Sequence, residues 1–357
     1  VLPNHNIHLK YKAIYIVGAF CLLLILVQGQ AGKKYTGGPE PYLLQLPPNF
    51  PKPVYDFSHN PLTKPGVALG RFMFYDFRLS KDSTVSCGFC HQQFAAFGHF
   101  DHALAHGVEG QQGNRSVPVL FNMIWQKTFM WDGGVNHLEI QPLTPLTDHN
   151  EMAMDLKELL RKMQADPAYR SKFKAAFGSE EITSERMFKA LTQFVATMIS
   201  ANSRYDSVMR KLPGAVFSAE EQAGYNIFQE KCAACHKEPL FTDLTYRSNG
   251  LPYLPALNDV GRMKITGNTD DNLRFKVPSL RNILKSSPYM HDGRFYDIYQ
   301  VFDFYDHGVE VTGTTDPLVK KGIPLSEQEK RQLYFFLNTL TDYSFISNQA
   351  FSEVLIN

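Results

Sequence analysis

Two stretches of this chain share one form, Cys87-Gly88-Phe89-Cys90-His91 and Cys232-Ala233-Ala234-Cys235-His236. In each, two thiols stand one helical turn apart and a histidine follows at once. That spacing lets two thioethers hold the vinyl groups of a c-type haem while the adjacent imidazole ligates the iron from below. The pattern therefore assigns Cys87, Cys90 and His91 to one haem and Cys232, Cys235 and His236 to a second. Other chemistries use the same residue types. A redox dithiol needs a strand running into a helix ahead of C-x-x-C, and no such pattern precedes either motif. A four-cysteine zinc site leaves both histidines without a role, and a disulfide inside either pair would close a strained short loop. The remaining cysteine of the five, Cys21, lies in an apolar run near the amino terminus. With two irons, the sixth coordination position decides the work: an open iron makes an enzyme, a closed one an electron carrier. His99, His102 and His106 follow the first motif and are candidates for that position, against the plainer reading of solvated loop histidines.

The elements around these motifs follow from composition and periodicity. The chain has 357 residues, a soft prior of two domains, and a formal net charge of +1, which excludes a strongly basic nucleic-acid binder or a polybasic membrane-surface protein. Five cysteines are too few for a disulfide scaffold. Residues 1–31 read as a signal peptide or a membrane anchor: His5, His8, Lys10 and Lys12 precede an apolar run over 13–27, and Gly29-Gln30-Ala31 offers a small-x-small cleavage site. Either version places the rest of the chain outside the cytoplasm, in the periplasm or another extracytoplasmic space. Residues 32–64 form a Pro-rich segment expected to run extended. Helical periodicity then dominates, over 151–163 and 184–210. Ser218 with Glu221 and Ser326 with Glu329 read as capping boxes, the first opening a helix into Cys232, the second one carrying Leu333, Phe336, Leu337 and Leu340. No sustained strand alternation is present. The expectation is a mainly α fold of two cytochrome c-like haem domains with long connecting loops, 65–205 and 206–345, divided near 203–216, with a tail over 346–357.

Beyond the haem motifs, the chain resembles the bacterial di-haem cytochrome c peroxidases and their MauG-like relatives over roughly residues 65–345. In the run Phe129 to Met152, Trp131, Gln141, Pro145, Glu151 and Met152 stand at the family's spacings, and FKVPSLRNILKSSPYMHDGRF resembles its V-P-T-L-R-N…P-Y-x-H-D-G segment. The resemblance implies that hydrogen peroxide meets the haem on His91. Glu151 is then the general acid-base, Gln141 orients the peroxide, Pro145 keeps a coordinating side chain out of the pocket, and Trp131 bridges the haems. Taken alone, Glu151 would read as a first-turn acid favoured by a helix dipole and Trp131 as a core aromatic. The resemblance also points to calcium at Ser116, Ser286 and Pro288, although Ser116 stands where the family has Asn.

Three further departures matter. The residue seventeen after Pro288, where the peroxidases carry an iron-binding Met, is Tyr305, as in MauG-like proteins; a phenolate there would lower the haem potential. Met290 is a substitute ligand, and a packed core Tyr the plainer reading. Gly107 and Val108 stand where well-studied peroxidases have a switchable His, so the first haem is expected to be open without reductive activation. Glu230 stands where MauG has the surface Trp through which it oxidises a docked protein. The reading is an exported di-haem c-type peroxidase reducing hydrogen peroxide with electrons from a small redox protein such as cytochrome c. The alternatives are a MauG-like oxidase using high-valent haem on a protein or small molecule, and a non-catalytic di-haem electron carrier. The oligomeric state is not legible in the sequence.

Overall fold

The structure is a computed structural model that describes residues 38–354; the signal-or-anchor reading of residues 1–31, with Cys21, lies outside the described residues. The chain from Pro41 to Lys64 runs extended and turned, as its prolines require. It is pinned rather than loose: Trp125 Nε1 donates to Pro51 O at 2.7 Å, and Val54 N and Tyr55 N both donate to Ile124 O at 3.0 Å.

Helices then follow with local reasons for their bounds. α1 (Lys64–Phe74) opens on Thr63, whose hydroxyl accepts from Gly66 N, with Pro65 in the first turn. α2 (Cys87–Cys90) is a single turn capped by Ser86. α3 (Leu143–Thr147) is followed by α4 (Leu156–Ala165), α5 (Pro167–Phe177) and α6 (Ser184–Thr197). After α7 (Arg204–Met209) come α8 (Ala219–Lys231), α9 (Met263–Thr266), α10 (Ile298–Asp303), α11 (Glu327–Asn338) and α12 (Tyr343–Ile346). Both expected capping boxes are formed, Ser218 with Glu221 and Ser326 with Glu329. The only strands among the described residues are β1 (Tyr246–Arg247) and β2 (Phe275–Lys276), an antiparallel pair with Tyr246 opposite Lys276.

Two periodic runs end elsewhere than their patterns suggest. The run over 151–163 becomes helix only at Leu156, because the Asp155 carboxylate caps Glu158 N and leaves residues 151–155 as a turn. Glu151 is therefore not a helix-start acid. The run over 184–210 breaks between Thr197 and Arg204. There Asn122 Oδ1 accepts from Ser200 N, and Asp342 Oδ2 accepts from Ala201 N and Asn202 N, all at 2.9–3.0 Å. Partners 78 and about 140 residues away take backbone donors that a helix would have used, which no local pattern can show.

The chain from Pro41 onward is one compact unit containing two hydrophobic clusters. One is built on α1, α4, α5 and α6, the other on α8, α10 and α11. Each has the same helix crossing. Gly70 of α1 lies against Ala190 of α6, and Gly224 of α8 against Gln332 of α11; a Cβ at either glycine would stand 2.0 Å from the opposing carbonyl oxygen. Gly70→Ala and Gly224→Ala are therefore each expected to destabilise the haem-loaded protein by about 1–3 kcal/mol through overpacking. Gly313→Ala, with nothing within 4 Å, should leave the stability near that of the parent. Chemical denaturation followed by far-UV dichroism measures all three.

Candidate functional site

Each C-x-x-C-H sits where a helix turn ends. In the first, Ser86 Oγ accepts from Phe89 N at 3.2 Å and His91 N donates to Cys87 O at 2.8 Å, so the two thiols share one face of α2. In the second, α8 runs into Cys232, and His236 N donates to Cys232 O at 3.1 Å. The imidazoles are held alike. His91 Nδ1 lies 2.8 Å from Phe97 O; His236 Nδ1 lies 3.2 Å from Phe241 O and 3.1 Å from Pro278 O. A carbonyl only accepts, so Nδ1 carries the proton and Nε2 keeps the lone pair that a metal needs. Burial pushes His91 down to about 4 and His236 below its ordinary value, keeping both rings neutral.

The four cysteines form no disulfide. Burial pushes Cys87, Cys90 and Cys232 up to about 12 and raises Cys235 as well. A reactive dithiol or a zinc thiolate needs the opposite shift. Neutral thiols beside a neutral imidazole with a free Nε2 fit a c-type haem in each half.

A cavity of about 640 Å³, within the range of small-molecule and cofactor sites, opens beside the second motif and is lined by Cys232, Cys235 and His236. Tyr305 and Met290 share its wall. Tyr305 sits on a π-helical turn, Phe304–Gly308, that continues α10, a distortion frequent at functional sites. Burial, with the two cysteines adding, raises its phenol to about 12. Asn249 Nδ2 approaches both Tyr305 Oη at 3.4 Å and Met290 Sδ at 3.5 Å. Sequence reasoning did not single out Asn249, which belongs to no motif.

Trp131 and Gln141 line the same cavity, as do Ser116, Ser286 and Pro288. Trp131 touches both halves of the chain: its Nε1 donates to Ser116 O at 2.8 Å, and its carbonyl accepts from Lys276 N at 2.8 Å. Ser116 N in turn donates to His291 O at 2.7 Å. Beside it, Arg115 bridges Asp132 and Asp259 at 2.6 Å each. No cluster of three or more His, Cys, Asp or Glu side chains able to hold a metal exists among the described residues. Calcium at Ser116, Ser286 and Pro288 would thus have to be held by carbonyl and hydroxyl oxygens.

Glu151 belongs to the first half. Its turn is stitched to α3, since Glu151 N donates to Asp148 O and Met152 N to Pro145 O, and Val108 N donates to Glu151 O. Gly107 permits that approach, because a Cβ there would stand 2.1 Å from Asn150 O. Burial, with Asp148 adding, pushes the Glu151 carboxyl up to about 7. It lies close enough to Cys87 and Cys90 for its charge to raise both thiols. His99, His102 and His106 pack edge to face on one another, with His99 Nε2 3.0 Å from His102 Nε2 and His99 Nδ1 3.1 Å from Cys90 O.

The geometry also reveals a repeat that the haem motifs alone did not. Val117, Pro118, Leu120, Asn122, Met130, Asp132 and Gly133 recur 160 residues on as Val277, Pro278, Leu280, Asn282, Met290, Asp292 and Gly293. The backbones match: Asn122 and Asn282 have φ of 55° and 57°, Met130 and Met290 of 68° and 73°. The bridges Phe129–Val135 and Tyr289–Phe295 also correspond. The same offset carries Pro145 onto Tyr305. The signal was present in the letters, displaced from the 145-residue spacing of the haem motifs.

Residues 64–213 match the family described as di-haem cytochrome c peroxidase. The chain is 35% identical to the methylamine utilization protein MauG of Methylorubrum extorquens over 296 residues, 81% of this chain and 82% of that one. It is 34% identical to the cytochrome c551 peroxidase of Nitrosomonas europaea, over 76% and 79% of the two chains. A solved MauG-like protein associated with microbial copper homeostasis superposes with a TM-score of 0.81 at 32% identity, covering 87% of this chain and 99% of that one.

The haem fit has a direct consequence. A Cys232→Ser/Cys235→Ser variant should retain one covalently bound haem per chain, against two expected in the parent. Haem staining after denaturing electrophoresis, with haem quantified per polypeptide, measures it.

Proposed function

The chain belongs to the di-haem cytochrome c peroxidase and MauG family, and on that premise we propose that it is an exported peroxidase reducing hydrogen peroxide to water with electrons from a small redox protein. When bound, two c-type haems, held by Cys87, Cys90 and His91 and by Cys232, Cys235 and His236, would supply the redox-active iron. Around the His91 site Glu151 accepts the proton that peroxide gives up on binding and returns it to the departing oxygen. A carboxyl at about 7 is suited to both tasks at neutral pH. Gln141, on the wall of a cavity that reaches from the second motif to Val117, Pro118 and Leu120 of the first half, would orient the peroxide, and Pro145 brings no ligating side chain. At the corresponding place in the second half Tyr305 would offer its phenol to a haem held by His236, where the first half has no ligating side chain. Trp131, bonded to both halves, carries electrons between them. The observation on which this reading rests is the Glu151 carboxyl, half-buried and close enough to Cys87 and Cys90 for its charge to raise both thiols.

A second reading, oxidation of a protein or small molecule as in MauG, draws support from Tyr305 on the wall of the cavity, its phenol approached by Asn249 Nδ2. Glu230, exposed at the cavity rim, stands where that reaction would need a surface Trp.

Glu151→Gln should lower peroxide turnover about 10²- to 10⁴-fold with both haems still bound. The sign with pH follows from the raised carboxyl, which is neutral below about 7 and ionised above it. Because the ionised form is the base, kcat/KM of the parent should rise through pH 7, and that limb should be missing from the variant. Turnover near that of the parent would sink the assignment. Steady-state oxidation of reduced cytochrome c across pH 5–9 provides the measurement.

A further inference from the structure

Lys276 is only 9% exposed, and among the described residues no carboxylate pairs with it. Lysine is seldom buried unless its charge is paired. The other lysine buried among the described residues, Lys330, follows that rule, with Asp303 at 2.7 Å and Glu327 at 2.8 Å. Lys276 instead turns its ammonium toward neutral oxygens, donating to Gln126 Oε1 at 3.0 Å and to Thr128 O, with Nζ 5.8 Å from the centre of the Phe129 ring. Its backbone N–H holds Trp131 O, and both residues line the same cavity. The nearby carboxylate, Asp132, is engaged by Arg115, and its backbone carbonyl by Arg262 Nη1 at 3.1 Å. Tyr246, whose phenol bonds Thr128 Oγ1, is raised and stays neutral. Lys276 thus brings an unpaired positive charge to the segment that carries the indole.

We infer that Lys276 is a positioning residue that acts through its charge on Trp131, keeping the indole a conduit for electrons and preventing oxidising equivalents from coming to rest there. The inference rests on the reading of Trp131 as the path between the haems. Hydrogen peroxide is the oxidant and a small redox protein the donor. If one electron left the indole for the oxidised haem on His91, the ring would carry a positive charge, its Nε1–H still donated to Ser116 O. An electron from the donor, arriving by way of the His236 haem, would then refill it, with no heavy-atom bond made or broken. A fixed ammonium in a low-dielectric cavity raises the energy of that cation and leaves electron passage without a stopping place. Burial pulls Lys276 down to about 8, with Asp132 opposing, so the ammonium is retained at neutral pH.

The test mixes haem-loaded protein with hydrogen peroxide in the absence of donor, freezes it, and reads organic radical by electron paramagnetic resonance. Lys276→Met should raise the radical yield about tenfold over the parent. The signal should vanish in Lys276→Met/Trp131→Phe, and Lys276→Arg, which keeps the charge, should return the parent level. Lys276→Gln serves as a second neutral variant should the methionine protein load haem poorly. Radical at the parent level in both neutral variants, or equal radical in the arginine and methionine variants, overturns the inference. Trp131→Phe alone separates the two layers. If it leaves electron transfer from reduced donor to the His91 haem unchanged, the Trp131 path itself fails. If it slows that transfer while the neutral variants make no extra radical, the path stands and the role of Lys276 falls.

Discussion

The arrangement depends on a short run of hydrogen bonds across the middle of the chain. Trp131 Nε1 donates to Ser116 O, Ser116 N to His291 O, and Lys276 N to Trp131 O, each at 2.7–2.8 Å. Two of these bonds cross from residues of the first haem motif's half to residues of the second's. The flanking charges work in the same direction: Arg115 grips Asp132 on one side and Asp259 on the other, and its guanidinium lies 5.7 Å from the centre of the Phe275 ring, which stacks on His291. An electron path across a protein needs a fixed gap more than it needs binding energy. Backbone hydrogen bonds flanked by a largely buried ion-pair bridge supply that rigidity.

Burial sets the chemistry on both sides of this junction, and its effect differs with the sign of each group's charged form. It holds His91 and His236 neutral, with Nε2 free, and keeps the four cysteines as thiols; it raises Glu151 into the range where a carboxyl can both take and give a proton at neutral pH. The same force acts on Lys276 with the opposite sign and there leaves a charge in place. One physical cause thus leaves both imidazoles neutral and the Glu151 carboxyl poised near neutrality, and works against the Lys276 ammonium, which keeps its charge in spite of it.

What could be read in the letters was whatever chemistry requires of contiguous residues. C-x-x-C-H is legible because both thioethers and the ligand must come from one helical turn, and the capping boxes at Ser218 and Ser326 because their partners are three residues apart. The Pro-rich segment is legible because proline forbids helix locally. The break after Thr197 was not, since the groups that make it, Asn122 and Asp342, are remote in sequence. Glu151 was found only through the family's spacing. Its local setting misleads, suggesting a helix start where Asp155 in fact begins the helix. Lys276 and Asn249 are not legible because nothing in a residue's type announces that it will be buried without a carboxylate partner or aimed at two neighbouring side chains. The second repeat escaped because loops of different length separate its parts, so no one offset brings both haem motifs and both V-P-x-L-x-N segments into register.

That repeat gives the asymmetry its meaning. The two halves share a glycine-mediated helix crossing, a histidine held by a backbone carbonyl, and an Asn and a Met in left-handed backbone at matching places. Against so much agreement, a difference at one corresponding position stands out. Where the second half has Tyr305, on a π-turn that widens the helix and brings a phenol to the cavity wall, the first has Pro145 in α3. Proline has no atom to offer iron, and its carbonyl is already occupied by Met152 N, the residue next to Glu151. On the proposed reading a single exchange does two things: it withdraws the ligand from one site and anchors, in the space so freed, the turn that carries the acid. Two copies of a haem-holding frame then divide into a closed site suited to electrons and an open one suited to peroxide, and the frame itself need not change.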